Sequence, residues 1–173
     1  MIKIKSSTAP PLKFLFAHPA HFVACGCGSG LSPFAPGTAG TLFAWLTFPL
    51  FSLLPNAQMT YALLALLFVL GVVACQVTGR NLGVVDHGSI VWDEIVPFWT
   101  VLMFVPTGFS ITALSWQLLA FLLFRFFDIV KPFPASWFDT QVKNGFGVMM
   151  DDVIAAGYSI FVFVLAKRLL EQW

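Results

Sequence analysis

The sequence predicts an all-α, polytopic integral membrane bundle with about four to six inserted helices, some of them short or broken. Three observations lead there. Of the 173 residues, 58% are hydrophobic and only 10% are charged, and the mean hydropathy is +0.87. A soluble domain carries about 25% charged residues, so this chain lacks the charge to wet a globular surface. No charge falls between Lys13 and Arg80, nor from Ile95 to Phe124. The acids are gathered instead: all but Glu171 lie between Asp86 and Asp152. The apolar content excludes disorder. A net charge of +1 offers no field for nucleic acid, so no such partner is expected. Neither an internal repeat nor a linker divides the chain, which reads as a single membrane-embedded domain over residues 1–173.

Taken in order, Phe14–Cys25 follows Lys3, Lys5 and Lys13 with the outline of a signal peptide. His18, Pro19 and His21 interrupt it and no small-residue cleavage site follows, so it reads as an interfacial or first inserted helix. Thr41–Leu54 is a short candidate broken by Pro49, and Gln58–Gly79 is the clearest span. Ile95–Val105 and Ile111–Phe127 flank Pro106-Thr107-Gly108 and read as a helical hairpin. Val153–Ala166 is the last candidate and extends on both sides. The basic start argues for a cytoplasmic N-terminus. Alternation then places Arg80–Glu94 and Arg125–Asp152 on the cytoplasmic side, so the acidic islands share one face. Lys167 and Arg168 would fall outside, against the positive-inside tendency.

A glycine-rich island, Gly26 to Thr41, holds five glycines with Pro33 and Pro36 and cannot continue a helix. Two readings stand side by side. The loop around Gly28, Ser29 and Gly30, with Thr38, forms an anion-binding nest, and Thr38 or Thr41 caps a helix whose N-terminus faces phosphate. Otherwise the small residues serve close helix packing. No Lys follows the glycines, so this is not a Walker loop.

Asp93 and Glu94 end the second island, next to a long apolar run. Acids there cost several kcal/mol unless paired or metal-bound, and read as functional by default. Asp86 reads as a cap or turn residue, and His87 as a structural or hydrogen-bonding group near the site. Arg125, Asp128 and Lys131 repeat every three residues on one helix face, ended by Pro132. They serve either as a salt-bridged helix end or as one metal ligand and two cations for phosphate oxygens. Trp137 suits a headgroup anchor and Asp139 a surface turn. Asp151 and Asp152 follow a second glycine loop. One would suffice to cap the last helix, and two adjacent carboxylates invite a divalent cation.

The resulting set, Asp93, Glu94, Asp128, Asp151 and Asp152, is all oxygen and suits Mg²⁺, which binds through few carboxylates plus substrate phosphate. Zinc does not fit the spacing of Cys25, Cys27 and Cys75, and three cysteines support no disulfide framework.

Gly28-Ser29-Gly30-Leu31-Ser32-Pro33 and Pro36-Gly37-Thr38 resemble the N-terminal signature of the phosphatidylglycerophosphatase A family. Asp86 through Glu94, then Arg125, Asp128-Ile129-Val130-Lys131-Pro132, Trp137-Phe138-Asp139 and Gly145 through Asp152 resemble its later motifs in order. The resemblance covers about residues 14–165. It implies a Mg²⁺-dependent lipid phosphatase, multi-pass in the bacterial inner membrane, acting on a phospholipid substrate in the bilayer. Phosphatidylglycerophosphate would be hydrolysed to phosphatidylglycerol and inorganic phosphate at the cytoplasmic face. Asp93, Asp128, Asp152 and Lys131 would be catalytic, with Gly28, Ser29, Gly30, Thr38, His87, Arg125 and Lys131 holding substrate. A CDP-alcohol-type phosphotransferase would need a dense Asp-x-x-Asp-Gly pattern, and an ion-coupled transporter would need paired halves; the sequence has neither. It does not set an oligomeric state.

Overall fold

The computed structural model describes residues 8–171. Lys3 and Lys5, which carry the cytoplasmic-start argument, lie outside them. Among the described residues eight α-helices follow one another: α1 (Leu12–Ala17), α2 (Pro19–Ala24), α3 (Pro36–Thr47), α4 (Ala57–Leu82), α5 (Trp92–Leu102), α6 (Ile111–Val130), α7 (Ala135–Gln141) and α8 (Gly145–Glu171). Short 3-10 turns fill Gly26–Leu31 and Phe48–Leu53.

Among the described residues, three helices are long and apolar enough to cross a membrane: α4, α6 and α8 over Gly145–Leu170. Each has an identifiable start. Asn56 accepts from Met59 N–H at 2.9 Å, Ser110 from Ala113 N–H at 3.2 Å, and Asn144 from Gly147 N–H at 3.0 Å. These side chains satisfy first-turn donors. Gly83, with φ +70°, ends α4 in the left-handed conformation that favours glycine.

The two short candidates do not form spans of their own. α3 breaks at Thr47, where Pro49 turns the chain into a 3-10 segment. Its twelve helical residues and the six that follow still extend about 30 Å at the usual rises, the thickness of a hydrocarbon core. α5 has only eleven residues, and all but Thr100 are buried. It is the centre of the molecule, packed between α3, α4, α6 and α8. The first candidate is broken at His18 and Pro19 into α1 and α2, too short to cross.

Three indoles tie the layers. Trp99 Nε1 donates to Ala44 O at 2.9 Å (α5 to α3), Trp45 Nε1 to Gln117 Oε1 at 2.7 Å (α3 to α6), and Trp92 Nε1 to Leu67 O at 3.2 Å (α5 to α4). Buried Trp needs such partners. Gly71 lets α4 approach the others, for a Cβ there would lie 2.6 Å from Trp92 Cδ1 and 2.9 Å from Met149 Cε. His21 fastens α2 to the end of α4, with one ring nitrogen 3.0 Å from Phe14 O and the other 2.9 Å from Asn81 Nδ2.

This packing fixes direction. α4 and α6 run toward one end of the bundle and α3, α5 and α8 run away from it. The acidic islands meet at that end, and Lys167 and Arg168 sit at the other.

Candidate functional site

Asp93 and Glu94 stand in the first turn of α5, where carboxylates complement the helix dipole. Asp128 lies one turn from the end of α6. Asp151 and Asp152 lie two turns into α8, so they do not cap that helix; Asn144 does. All five are buried, between 2 and 8% exposed. Buried charge must be paired to be tolerated, and two cations pair with three of the five.

Arg125 Nη1 forms an ion pair with Glu94 Oε2 and another with Asp128 Oδ2 at 2.8 Å. Thr41 Oγ1 lies 2.9 Å from Glu94 Oε2 and 3.0 Å from Gly37 O, so its single proton joins α3 to this cluster. Gly37 is required there because a Cβ would overlap the Glu94 carboxylate. Lys131 Nζ pairs with Asp151 Oδ2 and lies 3.4 Å from Asp139 Oδ1. Lys131 caps α6 with φ +45°, a left-handed geometry that turns the chain back toward α7 and α8. Burial pulls the Lys131 ammonium down, but the Asp152 and Asp151 carboxylates outweigh it and hold it above the ordinary lysine value.

The two clusters flank a cavity of about 440 Å³, bounded by Gly37, Ser89, Glu94, Arg125, Asp128 and Lys131. Five buried carboxylates against two cations leave a surplus of negative charge. Within the site, Asp152 Oδ1 and Arg125 Nε are buried with no hydrogen-bond partner among the described residues.

The glycine island is placed differently from the nest reading. Gly28 and Gly30 both donate their N–H to Cys25 O at 3.0 Å, and Ser29 Oγ donates to Gly26 O at 2.8 Å. Those donors are turned inward, and Gly28, Ser29, Gly30 and Thr38 do not line the cavity. Gly30 instead packs so closely on Ser89 O that a Cβ would overlap it, which is the small-residue packing alternative. The wall facing the cations comes from the next stretch, Ser32 to Gly37. Neither Thr38 nor Thr41 caps α3, which begins after Ala35 with no side-chain cap. His87 is buried and accepts from Ser89 N–H at 3.1 Å, shaping the turn before α5 rather than the cavity wall.

Two residues stand elsewhere than the sequence alone suggests. Thr41 is no cap; its spacing of four from Gly37 puts both on one face of α3, toward Glu94. Asp139, expected in a surface turn, lies on α7 toward Lys131; no local pattern reveals that, because the contact depends on the turn at Pro132.

Fold and site together define a helical membrane protein that gathers carboxylates and cations at one end of its spans. The family model for phosphatidylglycerophosphatase A matches residues 22–167. A Haemophilus influenzae phosphatidylglycerophosphatase A is 46% identical over 155 residues, 88% of this chain and 91% of that protein. The Escherichia coli K12 phosphatidylglycerophosphatase A is 44% identical over 142 residues, 80% of this chain and 78% of its own. A Bacteroides thetaiotaomicron relative, 40% identical over 152 residues, covering 84% of this chain and 91% of that protein, has a name that proposes a phosphatidylinositol-3-phosphatase. No solved structure matches. The chain therefore belongs to the phosphatidylglycerophosphatase A family, which makes it a lipid phosphatase of a bacterial membrane. The phosphotransferase and transporter alternatives fall away.

Proposed function

We propose that the chain removes the terminal phosphate of phosphatidylglycerophosphate at the cytoplasmic face of the bacterial inner membrane, with Mg²⁺ as cofactor. The observation that carries the reading is a cavity at one membrane end bordered by Arg125, Lys131, Glu94 and Asp128, with Asp93, Asp151 and Asp152 buried outside its wall.

The residues fit a hard divalent cation. The donors are all carboxylate oxygens, the buried charge is in deficit of cations, and Asp152 Oδ1 lacks a partner. Among the described residues no three acidic, His or Cys side chains form a ready-made cage. Mg²⁺ does not require one, since it binds through one or two carboxylates and substrate phosphate. Asp152 is the first ligand by this argument, with Asp93, Asp128, Glu94 and Asp151 completing the candidate set. When bound, the ion supplies charge to the phosphoryl oxygens and lowers the pKa of water.

The protein groups supply the rest. Arg125 and Lys131 stabilise negative charge on the equatorial phosphoryl oxygens. A carboxylate of the set takes the proton of the attacking water as its oxygen bonds to phosphorus. The bond to the glycerol oxygen breaks, and that oxygen is protonated. Glu94 and Thr41 hold Arg125 in place. The lipid tails stay in the bilayer while the headgroup enters.

Phosphate release from phosphatidylglycerophosphate by purified protein tests the reading. Release is expected with Mg²⁺ and not with chelator. Asp152→Asn and Asp128→Asn should each lower kcat by about 10²–10⁴-fold while the protein still inserts and purifies. Turnover of either variant at the parent rate would remove that residue from the chemistry.

A further inference from the structure

The turn that leads into α5 is tied down atom by atom. Ser89 N–H donates to His87 Nδ1 at 3.1 Å, Ile90 N–H to His87 O at 2.8 Å and Val91 N–H to Ala24 O at 2.9 Å. The Ser89 carbonyl lies against Gly30, where a Cβ would overlap it. Three successive backbone donors are thus engaged within the protein, and moving Ser89 breaks at least one of these contacts. A turn fixed in this way holds its side chain in one place, as a preorganised site requires.

Ser89 is only 3% exposed, yet it borders the charged cavity together with Glu94, Arg125, Asp128 and Lys131. Two hydroxyls stand on that wall, those of Ser32 and Ser89. Ser32 Oγ donates to Phe34 O at 2.7 Å, so its proton is engaged. The Ser89 hydroxyl makes no hydrogen bond among the described residues. With its N–H on His87 and its carbonyl on Gly30, the hydroxyl is the polar group of Ser89 that remains for the cavity. The cations beside it are shared with carboxylates. Arg125 Nη1 serves Glu94 and Asp128, and Lys131 Nζ serves Asp151 and Asp139. A transferring phosphoryl group carries charge on three oxygens besides those attacking and leaving, more than two shared cations cover. Gly28 and Gly30, turned inward onto Cys25 O, do not supply the missing donor.

We propose that the Ser89 hydroxyl donates a hydrogen bond to an oxygen of the phosphoryl group held by Arg125 and Lys131, which makes Ser89 a catalytic residue of the phosphatase. This rests on the reading above, which puts the lipid phosphate in that cavity. The hydroxyl hydrogen rotates to suit the acceptor it meets, while the tied backbone keeps Oγ at the wall. A neutral donor held there meets the phosphoryl charge with no rearrangement of the protein during the reaction.

The test is Ser89→Ala, with Ser89→Thr as the variant that restores a hydroxyl. Because the hydroxyl bonds nothing within the protein, Ser89→Ala should melt as the parent does. Its kcat/KM for phosphatidylglycerophosphate in detergent micelles with Mg²⁺ is expected to fall about 10-fold or more, the effect of one hydrogen bond to a charged acceptor. The inhibition constant of inorganic phosphate should rise by a similar factor, and Ser89→Thr should recover most of both. A parent-like kcat/KM in Ser89→Ala overturns the proposal. A loss of kcat/KM with unchanged phosphate inhibition also overturns it, for the hydroxyl then serves something other than the phosphoryl group. So does a loss matched by a lower melting temperature that Ser89→Thr does not repair, which marks a structural role. Calorimetric titration of inorganic phosphate into the protein with Mg²⁺ separates this proposal from the reading it rests on. Parent protein that binds phosphate more tightly than Ser89→Ala, yet releases none from phosphatidylglycerophosphate, would sink the substrate reading and leave Ser89 on its phosphate.

Discussion

Glu94 shows how far one residue depends on three others. Its carboxylate rests on Gly37, takes a hydrogen bond from Thr41 and pairs with Arg125. Gly37→Ala should displace it and lower phosphate release by about 10²-fold, the cost of misplacing a group by an ångström; steady-state assays of the purified variant check this. Arg125→Ala leaves Glu94 and Asp128 buried without their cation and should cost about 3–5 kcal/mol in unfolding experiments. Arg125→Lys should recover part of that stability and little activity, because one ammonium does not reproduce the guanidinium's geometry. The cysteines differ in the same local way. Burial pushes the Cys25 thiol up to about 11, and Cys75 is buried, whereas Cys27 is exposed. Alkylation at pH 8 followed by peptide mapping should find Cys27 modified and Cys25 and Cys75 protected until the protein is denatured. The acids themselves were visible in the sequence, because carboxylates beside apolar runs have few other uses. Their partners were partly hidden: the i, i+3 pairing of Arg125 with Asp128 is local, but its bridge to Glu94 spans 31 residues.

At the scale of the elements, patterning located what composition could decide. α4, α6 and α8 announce themselves by unbroken apolar length. α5 does not, since a buried half-length helix and a membrane span look alike until neighbours are known. The start of α8 differs from the sequence expectation for a related reason. Gly145 and Gly147 suggested a loop, yet both are helical, placed where a Cβ would overlap the carbonyls of Val72 and Val142. Glycine there serves close approach of α8 to its neighbours, and the helix therefore begins two turns before Asp151. The same argument separates two other glycines. Gly71→Val should press on Trp92 and Met149 and cost about 1–3 kcal/mol. Gly157→Ala, with nothing within 4 Å, should be neutral or stabilising by up to about 1 kcal/mol. Thermal unfolding in detergent distinguishes them, and a Gly71 variant as stable as the Gly157 variant would contradict the packing described.

For the whole molecule, charge is the organising quantity. Lys131 is held above the ordinary lysine value, so its ion pairs contribute fully below about pH 10.4 and are lost only as pH rises through the raised value. Melting temperature should therefore show no Lys131-dependent loss from pH 7 to 10. A Lys131→Met variant should lie below the parent throughout that range and converge on it only at more alkaline pH. The overall class was readable from scarcity of charge, and the shared face of the acids from alternation of spans. The seam between α3 and α6 was not readable, because it is made by α5 holding two helices apart at a set distance. α1 and α2 are fastened beside the acidic end by His21 and Asn81, while α8 starts at that end and finishes at the far one. Reporters placed on α1 and on the last turn of α8 would thus sit in different compartments, and a pair of impermeant probes would show which compartment receives the freed phosphate.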